Sequence, residues 1–169
     1  MKSLILLRHG PAGHSDDPAA EDDSQRPLTR KGRKASKEAA KTIRWLGACP
    51  TAIVTSPLER AAQTAAIAAK VLGLEEQTSA CDALRPGTAT RDLIEALAPL
   101  FEAADSLLVV GHEPDLSRLA ATLMSGQPHA AIDLRKGGFC LLAASELHPG
   151  KCAVLRALLN PQGLTGDED

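Results

Sequence analysis

The chain has 169 residues, long enough for one domain to bury its own core without disulfide or metal staples. Two Phe, one Trp and no Tyr leave no aromatic platform for nucleic-acid bases. A formal net charge of −2 gives no bulk field toward nucleic acid or membrane, so any anion site must be local.

The first element is the apolar run Leu4–Leu7, which stops in Arg8-His9-Gly10. A continuous apolar run reads as a strand buried on both faces, and a basic pair cannot be core filler without partners. Arg8 and His9 therefore belong at the carboxyl end of that strand, where Gly10 lets the chain turn and where α/β proteins hold anions. His9 is read as a nucleophile toward phosphate. An acidic loop follows, with Asp16, Asp17, Glu21, Asp22 and Asp23, and it reads as a solvated segment that could overhang the site. Leu28-Thr29 opens a helix with Thr29 as its N-cap and Leu28, Gly32, Ala35, Ala39, Ile43 and Leu46 along one face. The other face carries Arg30, Lys31, Arg33, Lys34, Lys37, Lys41 and Arg44, a solvated face or a docking surface for an acidic partner.

A second strand, Thr51–Thr55, runs into Ser56-Pro57-Leu58-Glu59. The spacing predicts a capping box, with Ser56 as N-cap, Pro57 as the first helical residue and Glu59 reaching back. Arg60 then falls in the first turn, where a cation opposes the helix dipole unless an anion lies between them; bound phosphate would supply it. This helix closes at Gly73. Gln77–Leu84 holds a short strand or a crossover, Arg85-Pro86-Gly87 turns, and Thr90 is expected to cap a helix through Leu93, Leu97, Leu100 and Phe101. Leu107–Val110 is a buried strand ending in Gly111-His112-Glu113-Pro114, and Pro114 begins a helix that closes at Gly126. Phe139–Ala143 and Ala153–Leu159 read as a closing strand pair.

Alternating strands and helices imply an α/β fold: a three-layer α/β/α sandwich, its sheet mostly parallel with an antiparallel edge. In that architecture parallel strands share one rim, so Arg8, His9, Arg60 and His112 converge although they are distant in sequence. Two arginines and two histidines make a pocket for a tetrahedral anion, with one imidazole free to attack and the other able to donate. Cys49, Cys81, Cys140 and Cys152 show no zinc or redox spacing and are expected to be free buried thiols. The N-terminal apolar run is too short for a secretory signal and no stretch approaches a spanning helix, so a cytoplasmic chain without membrane or nucleic-acid partners is expected, acting as a monomer. Residues 1–161 form the expected domain, and 162–169 a frayed tail.

Leu7-Arg8-His9-Gly10, the Ser56–Thr64 stretch and Val110-Gly111-His112-Glu113-Pro114 resemble the motifs of the histidine phosphatase (phosphoglycerate mutase-like) superfamily. The short chain, Arg26-Pro27-Leu28-Thr29 with Gly32, and Gly111–Ser117 resemble its SixA-type phosphohistidine phosphatases. The resemblance implies a phosphoglycerate mutase-like fold and a phosphoryl group carried on His9. It places Arg8, Arg60 and His112 around that group, with no metal and no cofactor. Gly10, Ser15 and Arg26 are the further substrate-binding candidates. Mutase-like relatives place a glutamate in the region of Gln77–Leu84, where this chain reads Asp82-Ala83-Leu84-Arg85-Pro86. A nitrogen leaving group asks less of an enzyme acid than an alkyl ester does, so this gap favours phosphohistidine of a signalling or phosphotransfer protein as substrate. Asp16, Asp17 and Glu113 are the remaining acid candidates. The alternatives are a broad small-molecule phosphomonoesterase and a binding module that holds phosphate or phosphoprotein without turnover.

Overall fold

A computed structural model describes residues 1–13 and 22–160 of the chain. Its elements are β1 (Lys2–Arg8), α1 (Arg30–Trp45), β2 (Ala52–Thr55), α2 (Glu59–Leu72), β3 (Thr78–Ala80), α3 (Thr90–Ala103), β4 (Ser106–Gly111), α4 (Asp115–Ser125), β5 (Phe139–Ala144) and β6 (Ala153–Leu159). They build one sheet in the order β3-β2-β4-β1-β5-β6. β3, β2, β4 and β1 are parallel neighbours, while β5 runs antiparallel to both β1 and β6. The expected sandwich with an antiparallel edge is what the chain forms.

Strand alternation decides which helices cover which face. Leu4 and Leu6 of β1, with Val54, Leu107 and Val109, pack against Leu93, Leu97 and Phe101 of α3 and Leu116, Leu119 and Leu123 of α4. Ile5 and Leu7, with Ile53, Leu108 and Val110, meet Ala39, Ala40 and Ile43 of α1 and the alanines Ala61, Ala65 and Ala68 of α2. Both faces of β1 and β4 are thus covered, which is why Leu4–Leu7 and Leu107–Val110 read as unbroken apolar runs. Each such residue contributes about 1.5–3 kcal/mol by leaving water. Among the described residues, no helix is long and apolar enough to cross a membrane.

α1 begins as its sequence predicts: the Thr29 hydroxyl accepts the Gly32 N–H (3.0 Å). Two other caps differ from expectation. Ser56 does not cap α2, which starts at Glu59 with Leu58 as N-cap and no side-chain cap bond. The extended backbone of Leu58 keeps Ser56 two residues outside the helix, its hydroxyl is taken up by His112, and Glu59 accepts from Gln63 (2.5 Å) instead. Thr90 is the first residue of α3 rather than its cap, a place held by Ala89. Of the four free cysteines only Cys140 is buried, and burial pushes its thiol up to about 12; Cys49 is exposed. Packing of α1, rather than any thiol bond, fixes the chain after β1.

That packing is close. A Cβ on Gly32 would lie 1.9 Å from the Pro11 carbonyl oxygen, and one on Gly10 would lie 2.6 Å from the Gly32 carbonyl oxygen. Only glycine at both positions lets α1 press on the turn after β1. Gly32→Ala is expected to lower stability by about 1–3 kcal/mol, since the obstructing atoms are backbone and cannot rotate away. Urea unfolding checks this, and an unchanged midpoint would contradict the contact.

Candidate active site

The rim at the carboxyl ends of the parallel strands is level. Arg8 stands opposite Gly111, and Leu7 and Thr55 both stand opposite Val110 from either side of β4. Pairing continues one residue past the strands: His9 N–H donates to the Gly111 carbonyl (3.1 Å) and Ser56 N–H to the Val110 carbonyl (3.0 Å). The turn after β1 is tied to α2 as well. Gly10 N–H donates to Thr64 Oγ1 (3.2 Å), and the Thr64 hydroxyl donates to the Arg60 carbonyl (2.8 Å). The turn bearing His9 and the helical turn bearing Arg60 are therefore held to one another through a single threonine.

His9 and His112 lie with ring centroids 5.1 Å apart. Nδ1 of His9 is 2.7 Å from the Gly10 carbonyl oxygen. A carbonyl can only accept, so Nδ1 carries the proton and the lone pair is on Nε2. In His112, Nε2 is 2.8 Å from Ser56 Oγ, which itself accepts the Leu58 N–H (3.3 Å). Among the described residues the serine proton has no other acceptor than Nε2, which places the His112 proton on Nδ1. Burial is the main force holding both imidazoles neutral. It brings His9 down to about 3, helped by His112, Arg60 and Arg8 against the pull of the Gly10 carbonyl. It brings His112 down to about 4, with Arg60 and Arg8 adding and Asp23 opposing.

The arginines are arranged alike. Arg8 Nη1 donates to the Leu134 carbonyl (3.0 Å), and Arg60 donates through Nη1 to the Asp23 carbonyl (2.7 Å) and through Nη2 to Asp23 Oδ2 (3.1 Å). Nε of Arg8, Nε of Arg60 and Nδ1 of His112 are all buried without a partner among the described residues. An unsatisfied buried donor costs about 1–3 kcal/mol. The side chains that carry them meet at one point, where an anion would find two guanidinium groups and two imidazoles.

That point is a cleft of about 250 Å³ lined by Arg8, His9, Arg26, Arg60 and His112, together with Ala12, Asp23, Pro86, Glu113 and Lys136. The four convergent residues expected from sequence are thus brought together, and Arg26 joins them while Gly10 supplies the carbonyl behind His9. Ser15, Asp16, Asp17 and Glu21 lie outside the described residues. Asp23, one of the five acids expected in a solvated loop, stands at the cleft instead. Its carboxylate takes Arg60 on one side and Arg26 on the other (2.7 Å). Burial works against its charge, but Arg60 and Arg26 outweigh it and hold the carboxyl below its usual range. The signal for it was Asp23 three residues before Arg26, on a turn capped by Asp22, which accepts the Ser24 N–H (2.9 Å). Lys136 was also missed. It arrives because the next residue, Gly137, donates its N–H to the carbonyls of Arg8 (3.2 Å) and His9 (3.1 Å). Glu113 lines the cleft with both oxygens committed to Ser117, at 2.9 Å to its N–H and 2.5 Å to its hydroxyl. Asp82 pairs with Arg85 (3.1 Å) on the surface.

Comparison with known proteins gives four findings. The pattern of the family described as the histidine phosphatase superfamily (branch 1) matches residues 4–85. An uncharacterized protein of Picosynechococcus sp. (strain ATCC 27264 / PCC 7002 / PR-6) is 39% identical over 141 residues, 80% of this chain and 81% of its own. Among solved structures, the protein histidine phosphatase SixA complexed with tungstate superposes with a TM-score of 0.81 at 24% identity, covering 96% of this chain and 99% of that one. A phosphoserine phosphatase mutant from Entamoeba histolytica, in complex with phosphoserine, superposes at 0.70 with 17% identity over 97% and 100%. At these identities the superpositions speak for the fold.

The neutral histidines fix a pH dependence. An unfolded histidine binds a proton below its ordinary 6.5, whereas folded His9 does so only near about 3 and folded His112 near about 4. Between those limits protons favour the unfolded chain, so stability is full above 6.5 and is lost as pH falls through this window. Urea midpoints measured across it should rise with pH, and His9→Gln should flatten the rise. An equal slope in wild type and variant would mean that His9 is not held neutral.

Proposed function

This chain belongs to the histidine phosphatase superfamily, a class of metal-independent phosphatases, and we propose that it hydrolyses phosphohistidine on a protein through a covalent intermediate on His9. The observation that carries the reading is the pairing of one unprotonated nitrogen with two guanidinium groups and a second imidazole in one cleft. His9 Nε2 holds a lone pair because Nδ1–H is spent on the Gly10 carbonyl, and Arg8, Arg60 and His112 line the same cleft.

In the first step Nε2 of His9 attacks phosphorus in line, the bond from phosphorus to the substrate nitrogen breaks, and that nitrogen leaves with the electron pair and a proton from solvent. The two guanidinium groups and the His112 Nδ1–H meet the charge that spreads over the equatorial oxygens. In the second step water attacks the phosphoryl group, the bond from phosphorus to Nε2 breaks, and phosphate leaves. The proton of that water passes to solvent, and His9 regains its lone pair. Both histidines stay neutral at neutral pH, so attack needs no prior deprotonation.

Among the described residues, the carboxylates that line the cleft favour nitrogen over oxygen as the leaving atom. An alkyl ester needs an acid that is still protonated at neutral pH. Asp23 is held ionised between two arginines, and Glu113 is committed to Ser117. Neither is poised to protonate an alkoxide, whereas a phosphoramidate nitrogen is basic enough to take its proton from water. A small-molecule phosphomonoesterase is the second reading, and the likeness of the fold to a phosphoserine phosphatase is what favours it.

Incubation in chelator with a phosphohistidine peptide, an aryl phosphate and pyrophosphate distinguishes these readings. Preferential turnover of the peptide is expected, with an acid-labile, base-stable phosphoryl label trapped on the protein. His9→Ala should lose both label and turnover; turnover near wild type would end the covalent mechanism. Arg60→Ala should cost about 2–4 kcal/mol of transition-state stabilisation, read from kcat/KM, and a tenfold smaller loss would remove Arg60 from the machinery.

A further inference from the structure

α1 carries a charge pattern that the chemistry of the cleft does not use. It holds seven of the chain's 19 cationic residues and one acid, Glu38, in a protein whose net charge is −2. Arg30, Lys34, Lys37, Lys41 and Arg44 recur in alternating steps of four and three, so they form a single row along the helix. The row points away from the sheet, because Ala39, Ala40 and Ile43 on the opposite side are wholly buried. Lys41 pairs with Glu38 (2.8 Å), while among the described residues Arg30, Lys34, Lys37 and Arg44 have no carboxylate within ion-pairing distance. The row begins four residues after Arg26, which lines the cleft, and Thr29 just before it donates its N–H to the carbonyl of Pro11 (3.0 Å) beside Gly10. It ends at Trp45, the only tryptophan in the chain and 82% exposed.

We propose that this row, with Trp45 at its far end, docks an acidic segment of the phosphoprotein whose phosphoryl group enters the cleft. The inference rests on the phosphohistidine reading for what enters the cleft, and on charge complementarity for what lies along the helix. Arg30 to Trp45 spans about 22 Å at the rise of an α-helix. Roughly seven extended residues beyond the phosphohistidine cover that length. Trp45 gives such a segment an aromatic anchor of the kind that dominates protein interfaces. A nucleic acid fits less well, since the row offers one ring over its whole length and no stacking platform. A membrane fits less well too, since the apolar side of α1 is consumed by the sheet and only Trp45 and Leu46 could insert.

The test uses two peptides that differ only in the seven residues after phosphohistidine, acidic in one and Gln/Ser in the other. They are titrated against His9→Ala protein, with the emission of Trp45 as the signal. The acidic peptide should bind about tenfold more tightly, and its advantage should shrink between about 50 and about 300 mM salt. K34E/K37E/K41E, or the milder K34Q/K37Q/K41Q, should abolish the preference. With His9 intact, the same triple variants should turn over the neutral peptide at the unsubstituted protein's rate. Equal affinity for the two peptides, or a preference that survives charge reversal, overturns the proposal. So does a Trp45 shift with phosphatidylcholine vesicles carrying about a quarter phosphatidylserine but not with the acidic peptide; the row would then be a membrane surface. If the protein with His9 intact hydrolyses aryl phosphate and neither peptide, the phosphohistidine reading fails, and the affinity difference still decides the docking row.

Discussion

β4 hydrogen-bonds to β1 on one side and to β2 on the other, and the positions of His9, Ser56 and His112 follow from that arrangement. Because the three strands end level, the carbonyls of Val110 and Gly111 take the N–H groups of Ser56 and His9, while the next residue of β4's own chain is His112. Three segments remote in sequence are thereby held by backbone bonds at one height, before any side chain interacts. Side-chain contacts then refine the position: Ser56 orients His112, Thr64 joins the Gly10 turn to the Arg60 turn, and the Gly10 carbonyl sets the tautomer of His9. Movement of β4 relative to its neighbours would disturb all of these together.

Burial of four cationic-type side chains at one point is costly, and the fold limits the cost in two ways. Both imidazoles stay neutral, so only the guanidinium groups are charged. Each guanidinium is met in part by protein oxygen: Arg8 by the Leu134 carbonyl, and Arg60 by the backbone and carboxylate of Asp23. Buried and without a partner among the described residues are the Nε of each arginine and Nδ1 of His112. Asp23 completes this economy, since a lone Arg60 beside neutral histidines would have only the dipole of α2 for company, and that dipole opposes it. The same burial that depresses the histidines therefore keeps Nε2 of His9 unprotonated at neutral pH, as the proposed attack requires.

Much of this was legible in the chain. Leu4–Leu7 and Leu107–Val110 are apolar because both of their faces are covered, and Arg8, His9 and His112 follow them directly, so strand ends and reactive groups could be read together. Arg60 stood out because a cation in a first helical turn needs an anion. The caps were less legible. Ser56-Pro57-Leu58-Glu59 matches a capping box, yet Ser56 serves His112, a partner 56 residues away that local spacing cannot reveal. Asp23 was hidden for a similar reason. In sequence it is one acid among five, and only the approach of α2 makes it the partner of Arg60.

By itself, then, the sequence determined the alternation of elements, the two-sided burial of the central strands and the chemical identity of the groups at their ends. These follow from local patterning, because periodicity and the abrupt change from apolar to basic residues are properties of neighbours along the chain. The tertiary structure alone decided which nitrogen of each histidine carries its proton, which donors remain unpaired, and which acid and which lysine join the cleft. Those depend on carbonyls and hydroxyls delivered by other elements, at separations that only the packed sheet and its helices set.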